Sequence, residues 1–466
     1  MSTLQFDQSQ LGFNADVVVI GAGLSGLVAT RRLIAEGVNV LTLEARERSG
    51  GRMGGGTFNG ESYDLGSQWV KPQATALRTL VHELGLPLTN QYHDGESAIG
   101  LRQKTTRFGK RQPSFAPHVG LDYHRVIRLL NATARKLDAT TDESLTRAKH
   151  IDTRSFAAWL NDTCRSRTTI ALLSTLTRVH FHAEPTEISL YYIIDQVSAH
   201  RGAQNLFALR PAHNQERVIG GSARIAERLS QQLRQQLIND TPILAMRQDE
   251  LSVTAYSRGT SFRAHYAIIT TPPVVTQQIY FEPHVPPARD ALQQRIIMGR
   301  ALTMIVFYDY PFWRENGKSG FVLDDAGPFS MCHDVSPVNA SEGAIACVLT
   351  AESAHHWGMQ PRSERLGAVI QQLQRWFGPE ALAYRGMLER DWNAERWNRG
   401  ANGFLVPGAA SYIHNVSTPI GRIHWAGSET ATHWTNTLEG AIESGERAAA
   451  EVMSELGSAG LLKTKQ

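Results

Sequence analysis

Three glycines and one acidic residue near the N-terminus form a pattern that could hold a dinucleotide. Gly21, Gly23 and Gly26 follow a β-branched run, and Glu44 comes later in the chain. Glycines in such a turn permit a tight bend, close approach of the backbone to a pyrophosphate and close helix packing, while the positive helix N-terminus attracts phosphate. An acid roughly 20 residues further on binds a ribose hydroxyl in this arrangement.

The elements around these residues occur in the order that such a site requires. Residues 16–20 predict a buried parallel strand, residues 24–36 a helix, and residues 39–43 a second strand that ends before Glu44. The sequence therefore predicts a Rossmann-like nucleotide-binding unit. Arg46 and Arg52 follow beside paired glycines, where guanidinium groups suit pyrophosphate oxygens. From charge alone, a solvated basic loop is an equal alternative.

Length and composition are those of a soluble globular protein. At 466 residues the chain exceeds the size at which single cores stop growing, so two domains or one elaborated domain is expected. The net charge of +3, with scattered basic residues, gives no reason to expect nucleic acid as a partner. Three cysteines lack metal-ligand spacing, so neither a metal site nor a disulfide framework is expected. Without a signal segment or a long apolar run, a cytoplasmic protein free of the membrane is predicted.

Apolar spacing predicts a helical region in the first half of the chain. After it, Ser222 is a candidate N-cap for an amphipathic helix within residues 220–237. A later helix is predicted at residues 363–377. The helices predicted in the first half lie at residues 119–137, 155–160, 170–179 and 186–200.

Alternating stretches in the second half predict strands. Residues 251–256 and 262–270 look like strands that return to the nucleotide-binding unit, and residues 301–307 and 344–350 like strands of a second sheet. A strand at residues 423–426, a glycine turn and a helix at residues 437–456 again have the character of nucleotide-binding material. The last elements of the fold should therefore lie beside its first.

Two motifs at opposite ends of the chain resemble those of the flavin-dependent amine oxidase family, which contains monoamine oxidases, polyamine oxidases and L-amino acid oxidases. GAGLSG followed by LEARERSGGRM resembles the family's FAD fingerprint, and HWAGSETATHWTNTLEGAIESGERAA resembles its C-terminal flavin motif. The monoamine oxidase branch is the most similar, because NQERVIGGSARIAERL and TPPVVTQQIYFEPHVPP also follow its pattern. The resemblance runs nearly from end to end.

The resemblance implies an α/β fold, α+β overall, with a Rossmann-like FAD-binding domain and a discontinuous substrate domain of mixed sheet and helices. Residues 14–89, 220–292 and 395–456 would form the FAD-binding domain, and residues 90–219 and 293–394 the substrate-binding domain. FAD is implied rather than NAD. The residues expected to bind it are Gly21, Gly23, Leu24, Ser25, Gly26, Glu44, Ala45, Arg46, Gly51, Arg52, Gly66, Ser67, Gln68, Trp69, Ile243, Gly427, Ser428, Thr437, Leu438 and Ala441.

The resemblance also implies a chemistry. In the family, a neutral amine passes hydride from its α-carbon to flavin N5, the imine hydrolyses to a carbonyl, and oxygen reoxidises the flavin to give hydrogen peroxide. A small-molecule amine or amino acid is therefore the expected substrate and oxygen the expected acceptor. The alternatives are an amine dehydrogenase or desaturase that uses another acceptor, and a flavin-stabilised interaction protein without catalysis. A homodimer is left open.

The chain departs from the family pattern at four positions. Ala401 stands where monoamine oxidases attach FAD through a cysteine, so noncovalent FAD is expected. Asn402 and Thr437 stand at the positions of two aromatic rings that cage the amine, which indicates a larger or more polar substrate. Thr303 stands where a lysine usually holds a water near flavin N5, and a threonine supplies no positive charge to assist oxygen.

Further residues correspond to substrate-lining positions of monoamine oxidases. These are Phe207, Ala208 and Gln215, and Trp392 corresponds to a tryptophan near the flavin. A place in the core is the alternative for each. Arg210 is a candidate to receive a substrate carboxylate, with a surface arginine as the alternative.

Overall fold

The strands of the molecule form several sheets, described here from a computed structural model that covers residues 14–137, 148, 150–209 and 215–462. In chain order the strands are β1 (Val17–Ile20), β2 (Val40–Leu43), β3 (Gly55–Phe58), β4 (Glu61–Asp64), β5 (Trp69–Val70), β6 (Leu88–Asn90), β7 (Glu96–Leu101), β8 (Lys104–Phe108), β9 (Glu216–Val218), β10 (Leu237–Ile238), β11 (Ala245–Gln248), β12 (Val253–Ser257), β13 (Thr260–Ala264), β14 (Tyr266–Ile269), β15 (Tyr280–Glu282), β16 (Ile296–Met298), β17 (Ala301–Tyr308), β18 (Lys318–Asp324), β19 (Met331–Asp334), β20 (Gly343–Thr350), β21 (Gly386–Asp391), β22 (Gly403–Leu405) and β23 (Ile423–Trp425).

Helices connect and cover these sheets. Short 3-10 turns occur at Pro379–Leu382, Ala410–Val416 and Ser428–Thr430. In chain order the described α-helices are α1 (Leu24–Ala35), α2 (Thr75–Glu83), α3 (Pro117–Leu137), α4 (Phe156–Thr163), α5 (Arg167–Phe181), α6 (Leu190–Ala199), α7 (Ala203–Leu206), α8 (Ala223–Gln232), α9 (Pro273–Thr276), α10 (Pro287–Gln293), α11 (Phe312–Glu315), α12 (Ala351–Gly358), α13 (Arg362–Phe377) and α14 (Leu438–Ser458).

A five-stranded parallel sheet carries the nucleotide motifs. Its strand order is β10-β2-β1-β14-β23. Side chains alternate between the two faces of a strand. Val17 and Val19 accordingly pack with helices α1 and α14, and Val18 and Ile20 pack against the four-stranded sheet of β13, β12, β11 and β15. Both faces are thus buried, which is why β1 is uniformly apolar.

The parallel pairing brings distant residues to one edge of this sheet. Parallel strands end at the same edge, so the residues that follow β1, β2, β14 and β23 meet there. Those residues include Gly21, Glu44, Thr270 and Gly427. The edge therefore joins the first and last nucleotide motifs, as the C-terminal pattern predicted.

A second, seven-stranded sheet has the order β21-β17-β20-β19-β18-β7-β8. β17 and β20 pair antiparallel, with Ala301 opposite Thr350, so the predicted strands at residues 301–307 and 344–350 are confirmed as neighbours. Leu302 and Met304 pack toward helix α13 on one face of this sheet. Thr303 lies on the opposite face with Ile305, which packs near Tyr63 and Leu65 at the end of the β3-β4 hairpin.

The predicted helical region is also present. Helices α3, α4, α5 and α6 share one apolar core, represented by Leu130, Leu160, Leu172 and Ile193. The observed helix ends differ from the predicted ones by a few residues, because capping groups set them. For example, the side chain of Ser189 accepts a hydrogen bond from Tyr192 N, so α6 begins at Leu190 rather than at residue 186.

Two local expectations were wrong. Residues 262–270 form two strands in different sheets, because Asp16 O accepts hydrogen bonds from both His265 N and Tyr266 N and the chain changes sheets there. Ser222 does not cap α8 with its side chain. Its hydroxyl donates instead to the buried carboxylate of Asp64 at 2.9 Å.

The predicted fold class is confirmed by this arrangement of a parallel Rossmann-like sheet and a separate mixed sheet with helices. The domain boundaries drawn from the sequence stay a prediction. Within the described ranges, no helix is long and apolar enough to cross a membrane.

Asp334 on β19 provides a test of how the second sheet is held together. Its buried carboxylate accepts hydrogen bonds from Trp313 Nε1 at 2.7 Å and from Arg314 Nε at 2.7 Å. Asp334→Ala leaves both donors without a partner, and we expect a loss of about 3 kcal/mol in the free energy of unfolding. Urea unfolding measures it. Asp309→Ala, which breaks an exposed pair with Arg385, is the control and should leave the urea midpoint unchanged. Equal midpoints for both variants would contradict the assignment.

Candidate active site

A cleft opens at the carboxyl edge of the parallel sheet. It encloses about 1250 Å³, including its open mouth. The predicted residues that line it are Gly21, Gly23, Leu24, Ser25, Glu44, Ala45, Arg46, Gly51, Arg52, Ser67, Ile243, Gly427, Ser428, Thr437, Leu438 and Ala441. Residues that the motifs did not indicate also line it, and these include Thr270, Thr271, Pro272, Arg396, Trp397 and Asn398. The first three follow β14, so their position could have been inferred from the parallel pairing.

The glycine turn leaves space beside the backbone. Gly21 has a φ of +104°, which favours glycine. A Cβ on Gly26 would lie 2.0 Å from Gly21 O, so this glycine permits close packing of helix and strand and does not itself line the cleft. A Cβ on Gly23 would meet nothing within 4 Å. Open space beside Gly23 at the start of α1 suits a phosphate group.

The carboxylate of Glu44 is buried, and only part of its capacity to accept hydrogen bonds is used. Its Oε2 accepts a hydrogen bond from Ala22 N at 2.8 Å, and its Oε1 accepts one from Arg46 N at 3.0 Å. Each carboxylate oxygen can accept two hydrogen bonds, so capacity remains for a ribose hydroxyl.

Positive charge exceeds negative charge near the outer part of the cleft. Arg46 lies 3.6 Å from Glu44 and 3.7 Å from Glu395, and Arg390 lies 2.8 Å from Glu395. Among the residues that the structure describes, Arg48 donates only to backbone carbonyls, at 3.3 and 3.4 Å. Burial lowers the pKa of Arg48, and the neighbouring Arg390 and Arg46 lower it further. Arg46 and Arg390 pair with two carboxylates, and Arg48 adds a third guanidinium group nearby. This surplus of positive charge suits the two negative charges of a pyrophosphate.

Arg52 joins the N-terminal motif to the C-terminal one. Its guanidinium donates to both carboxylate oxygens of Glu429, at 2.7 and 2.8 Å, and also to Ala401 O at 2.8 Å. Burial raises the pKa of Glu429, but Arg52 lowers it by more, so the net pKa lies below its ordinary value of 4.5. The carboxylate is therefore charged at neutral pH and the pair closes one wall of the cleft.

These features fit FAD. A dinucleotide needs the open glycine turn, the spare acceptor capacity of Glu44 and the surplus of arginine charge. An unpartnered acceptor adds to this, because Oδ1 of Asn436, which also lines the cleft, is buried without a hydrogen bond. FAD would be held by these groups.

Besides Gly26, three predicted cofactor residues, Gly66, Gln68 and Trp69, are absent from the lining of the cleft. A Cβ on Gly66 would lie 2.2 Å from Arg52 O, so Gly66 permits close packing of that segment. Gln68 contacts His333 Nε2, and the ring of Trp69 lies 4.8 Å from that of His333. His333 was not indicated by any sequence motif. Its position beside Gln68 and Trp69 comes from its register on β19, where it pairs with Ala346.

The two residues at the cage positions both line the cleft. Asn402 Nδ2 donates to His180 O at 3.2 Å, and within the described residues its Oδ1 has no hydrogen-bond partner. Thr437 caps helix α14, accepting from Gly440 N at 3.2 Å and donating to Trp434 O at 2.6 Å. Asn402 therefore offers a free acceptor, whereas the hydroxyl proton of Thr437 is already used.

Thr303 and Trp392 are not part of the cleft lining. Thr303 is 9% exposed and lies directly opposite Arg390 in the second sheet, on the same face. Trp392 is buried, with its Nε1 donating to Leu65 O at 2.8 Å and its ring against Gly66. Their predicted roles beside the flavin stay predictions.

The predicted substrate-lining residues occupy different environments. Phe207 is fully buried and stacks on Phe156 with ring centroids 5.9 Å apart. Gln215 is buried, with its carbonyl accepting from Gln91 N at 2.8 Å, whereas Ala208 is exposed. Arg210 lies outside the described residues. Substrate contact by these residues stays a prediction.

Known proteins resemble this chain in both sequence and fold. The family described as flavin containing amine oxidoreductase matches residues 24–453. The chain belongs to this family. A probable flavin-containing monoamine oxidase A of Dictyostelium discoideum is 31% identical over 95% of this chain and 98% of its own length. An L-amino acid dehydrogenase of Synechocystis sp. is 32% identical over 95% of this chain and 96% of its own length.

Solved structures of the family superimpose on the whole fold. Cyclohexylamine oxidase from Brevibacterium oxydans IH-35A gives a TM-score of 0.89 at 27% identity and covers 95% of this chain and 99% of its own. A putrescine oxidase bound to putrescine also gives 0.89, at 26% identity, over 94% of this chain and 99% of its own.

The chain is thus an FAD-dependent oxidoreductase of the flavin amine oxidase type. Among the described residues, no cysteine lines the cleft, because Cys332 and Cys347 are buried in the second sheet and Cys164 ends helix α4. Ala401, at the predicted position of the attachment cysteine, has no thiol. FAD is bound noncovalently.

The ion pair between Arg52 and Glu429 gives a test that depends on pH. Glu429→Gln removes the charge facing Arg52 and should cost about 3 kcal/mol of unfolding free energy at pH 7. Because the folded pKa of Glu429 lies below 4.5, the wild type has this stabilisation in full above that pH and loses it as the pH falls through the folded pKa. The difference between the proteins in urea unfolding should therefore shrink below pH 4.5. Glu96→Gln, in an exposed pair, is the control. A difference independent of pH would contradict the assignment.

Noncovalent binding predicts the behaviour of the flavin on acid precipitation. Without a thiol in the cleft, the yellow colour should pass to the supernatant when the holoenzyme is denatured with acid. Absorbance at the flavin maximum in each fraction measures it. Colour that stays in the pellet after washing would show a covalent bond.

Proposed function

We propose that this protein oxidises the CH–NH bond of an amine or amino acid, with oxygen as the acceptor and hydrogen peroxide as the product. The observation that carries the proposal is the free Oδ1 of Asn402 at the wall of a cleft that fits FAD. When bound, FAD supplies the acceptor for a hydride from the α-carbon of the substrate. The names of the relatives, probable monoamine oxidase and cyclohexylamine oxidase, support an amine as the substrate.

Asn402 would orient the amine. Its Nδ2 is fixed by the carbonyl of His180, which turns the opposite side of the amide, Oδ1, toward any group in the cleft. An amine N–H can donate to this oxygen. The hydrogen bond would hold the nitrogen and its α-carbon in a defined position, which is the main contribution a protein makes to such a reaction.

The environment beyond Asn402 would favour a neutral amine. Burial first, and then the charge of Lys71, lower the pKa of His180 to about 3 and that of His200 to about 4. A region that opposes protonation of two imidazoles also opposes protonation of a substrate nitrogen. A neutral amine keeps the electron pair that must assist loss of hydride, so this environment supports the proposed chemistry.

A dehydrogenase that uses another acceptor is the second candidate, and Thr303 favours it. The usual lysine is absent there, and the neighbouring cation, Arg390, is already paired with Glu395 and donates to Gly55 O. Little free positive charge would therefore assist the reduction of oxygen. The name of the Synechocystis relative, L-amino acid dehydrogenase, is consistent with this alternative.

The division into two domains belongs to the same proposal. The strands of the parallel sheet fall within residues 14–89, 220–292 and 395–456, which supports those boundaries for the FAD-binding domain. The seven-stranded sheet and helices α3 to α6 fall within residues 90–219 and 293–394. A cytoplasmic location is part of the same proposal.

Anaerobic mixing distinguishes the candidates. Amines and amino acids are added to the yellow holoenzyme without air, bleaching is followed by stopped flow, and air is then admitted while peroxide is measured. The oxidase predicts bleaching, prompt return of colour and one peroxide for each substrate consumed. The dehydrogenase predicts bleaching with slow return. No bleaching by any compound would contradict both.

Variants at Thr303 test the role of charge in the acceptor step. Thr303→Lys restores a cation, and we expect the colour to return about tenfold or more faster in air, with the anaerobic bleaching rate little changed. Thr303→Val is the matched control without charge or hydroxyl. An equal return rate in Lys and Val variants would contradict a role for charge at this position.

A further inference from the structure

Lys71 is a partly buried cation to which the chemistry above assigns no partner. It follows β5 directly, and its Nζ lies 5.4 Å from the ring centroid of Trp434. Within the described ranges, no carboxylate lies at ion-pair distance from it. Burial lowers the pKa of Lys71. A desolvated ammonium that faces only an aromatic ring retains strong attraction for an anion.

Two histidines share the surroundings of Lys71. The ring of His200 packs edge-on against the same Trp434, with centroids 5.6 Å apart. His200 Nδ1 lies 3.0 Å from Gln196 O, so Nδ1 carries the ring hydrogen. The ring of His180 has no hydrogen-bond partner among the residues that the structure describes, and the charge of Lys71 lowers its pKa. His180 therefore has an N–H available for a ligand.

Lys71 and His180 are each only partly covered by the protein. Burial is the first cause of the lowered pKa of each. The accessible surface that remains on each side chain is the part that a ligand would contact.

The surroundings of Lys71 adjoin the proposed amine position. Asn402, whose free Oδ1 would receive the amine, donates from Nδ2 to His180 O at 3.2 Å. Thr437, also in the cleft lining, donates to Trp434 O at 2.6 Å. One hydrogen bond thus links the segment of His180 to the cleft wall, and another links the segment of Trp434 to it. The surroundings of Lys71 and the cleft wall therefore belong to neighbouring parts of the fold.

We propose that Lys71 binds a carboxylate of the substrate, with His180 as a second donor, so that the substrate class is amino acids rather than simple amines. This rests on the proposed function, because it places the amine at Asn402. A carboxylate would compensate the lone charge of Lys71, whereas an alkyl or aryl amine would leave that charge unpaired. One lysine, without an arginine fork or a glycine turn beside it, matches the single charge of a carboxylate better than that of a phosphate.

Binding of a carboxylate without an amine tests the site independently of turnover. The holoenzyme is titrated with benzoate, and the dissociation constant is read from the change in the flavin absorption spectrum. Lys71→Met keeps side-chain length and removes the charge, and we expect binding to weaken about tenfold or more. Lys318→Met is the matched control, because Lys318 also lies over an aromatic ring, that of Phe377 at 5.9 Å, but belongs to β18.

Paired substrates then test specificity. Phenylalanine is compared with phenethylamine, and leucine with 3-methylbutylamine, in anaerobic bleaching at several concentrations. The wild type should favour each amino acid over its amine. Lys71→Met should lower that preference about tenfold or more, mainly through weaker binding of the amino acid and with little change in the limiting rate. Lys318→Met should behave as the wild type does. FAD content and thermal midpoint establish that each variant is folded.

The outcomes separate this inference from the proposed function. Benzoate that binds only when Lys71 is present supports the carboxylate site, even if no amine or amino acid bleaches the protein and the proposed function fails. Bleaching that Lys71→Met weakens equally for amino acid and amine overturns the inference and leaves the proposed function intact. The inference is also overturned if benzoate does not bind the wild type, or binds both proteins equally.

Discussion

The ion pair between Arg52 and Glu429 is the contact on which the active-site cleft depends. It joins side chains 377 residues apart in the chain, and both carboxylate oxygens are engaged. Since Glu429 is buried, loss of either partner would leave a charge without compensation. Arg52 also holds the carbonyl of Ala401. One guanidinium thus fixes the glycine loop, the segment before β22 and the turn before α14 in a single wall.

Two regions of this site differ in their electrostatic surroundings. Around Arg46, Arg48 and Arg390 the positive charge exceeds the negative, and the backbone of the glycine turn is open. Such surroundings hold an anionic pyrophosphate. Around His180 and Lys71 the dominant influence is burial, which opposes any cation. A zwitterionic substrate suits that region if its amine loses a proton and its carboxylate meets the lysine. The proposed amine would therefore lie in surroundings opposite in character to those of the pyrophosphate.

The pairing of strands in the second sheet determines which residues surround Thr303. Antiparallel register places Arg390 directly opposite it, and alternation places both on the face turned toward the β3-β4 hairpin. His333 joins the same face through its pairing with Ala346. Neighbours on two other strands therefore surround Thr303, and under our proposal they would decide how the predicted loss of the family lysine is compensated.

The sequence alone determined the parts of this protein whose chemistry is local. Gly21, Gly23 and Glu44 identify the nucleotide-binding edge of the sheet, because consecutive residues specify the turn geometry and the order of the strands. The motif around Gly427 supplied the second half of the site. The tertiary structure alone decided the rest. It showed that residues 262–270 divide between two sheets and that Lys71 and His200 both pack against the ring of Trp434. Those facts depend on contacts between segments far apart in the chain, and a pattern of polarity along one strand does not specify which distant side chains will meet it.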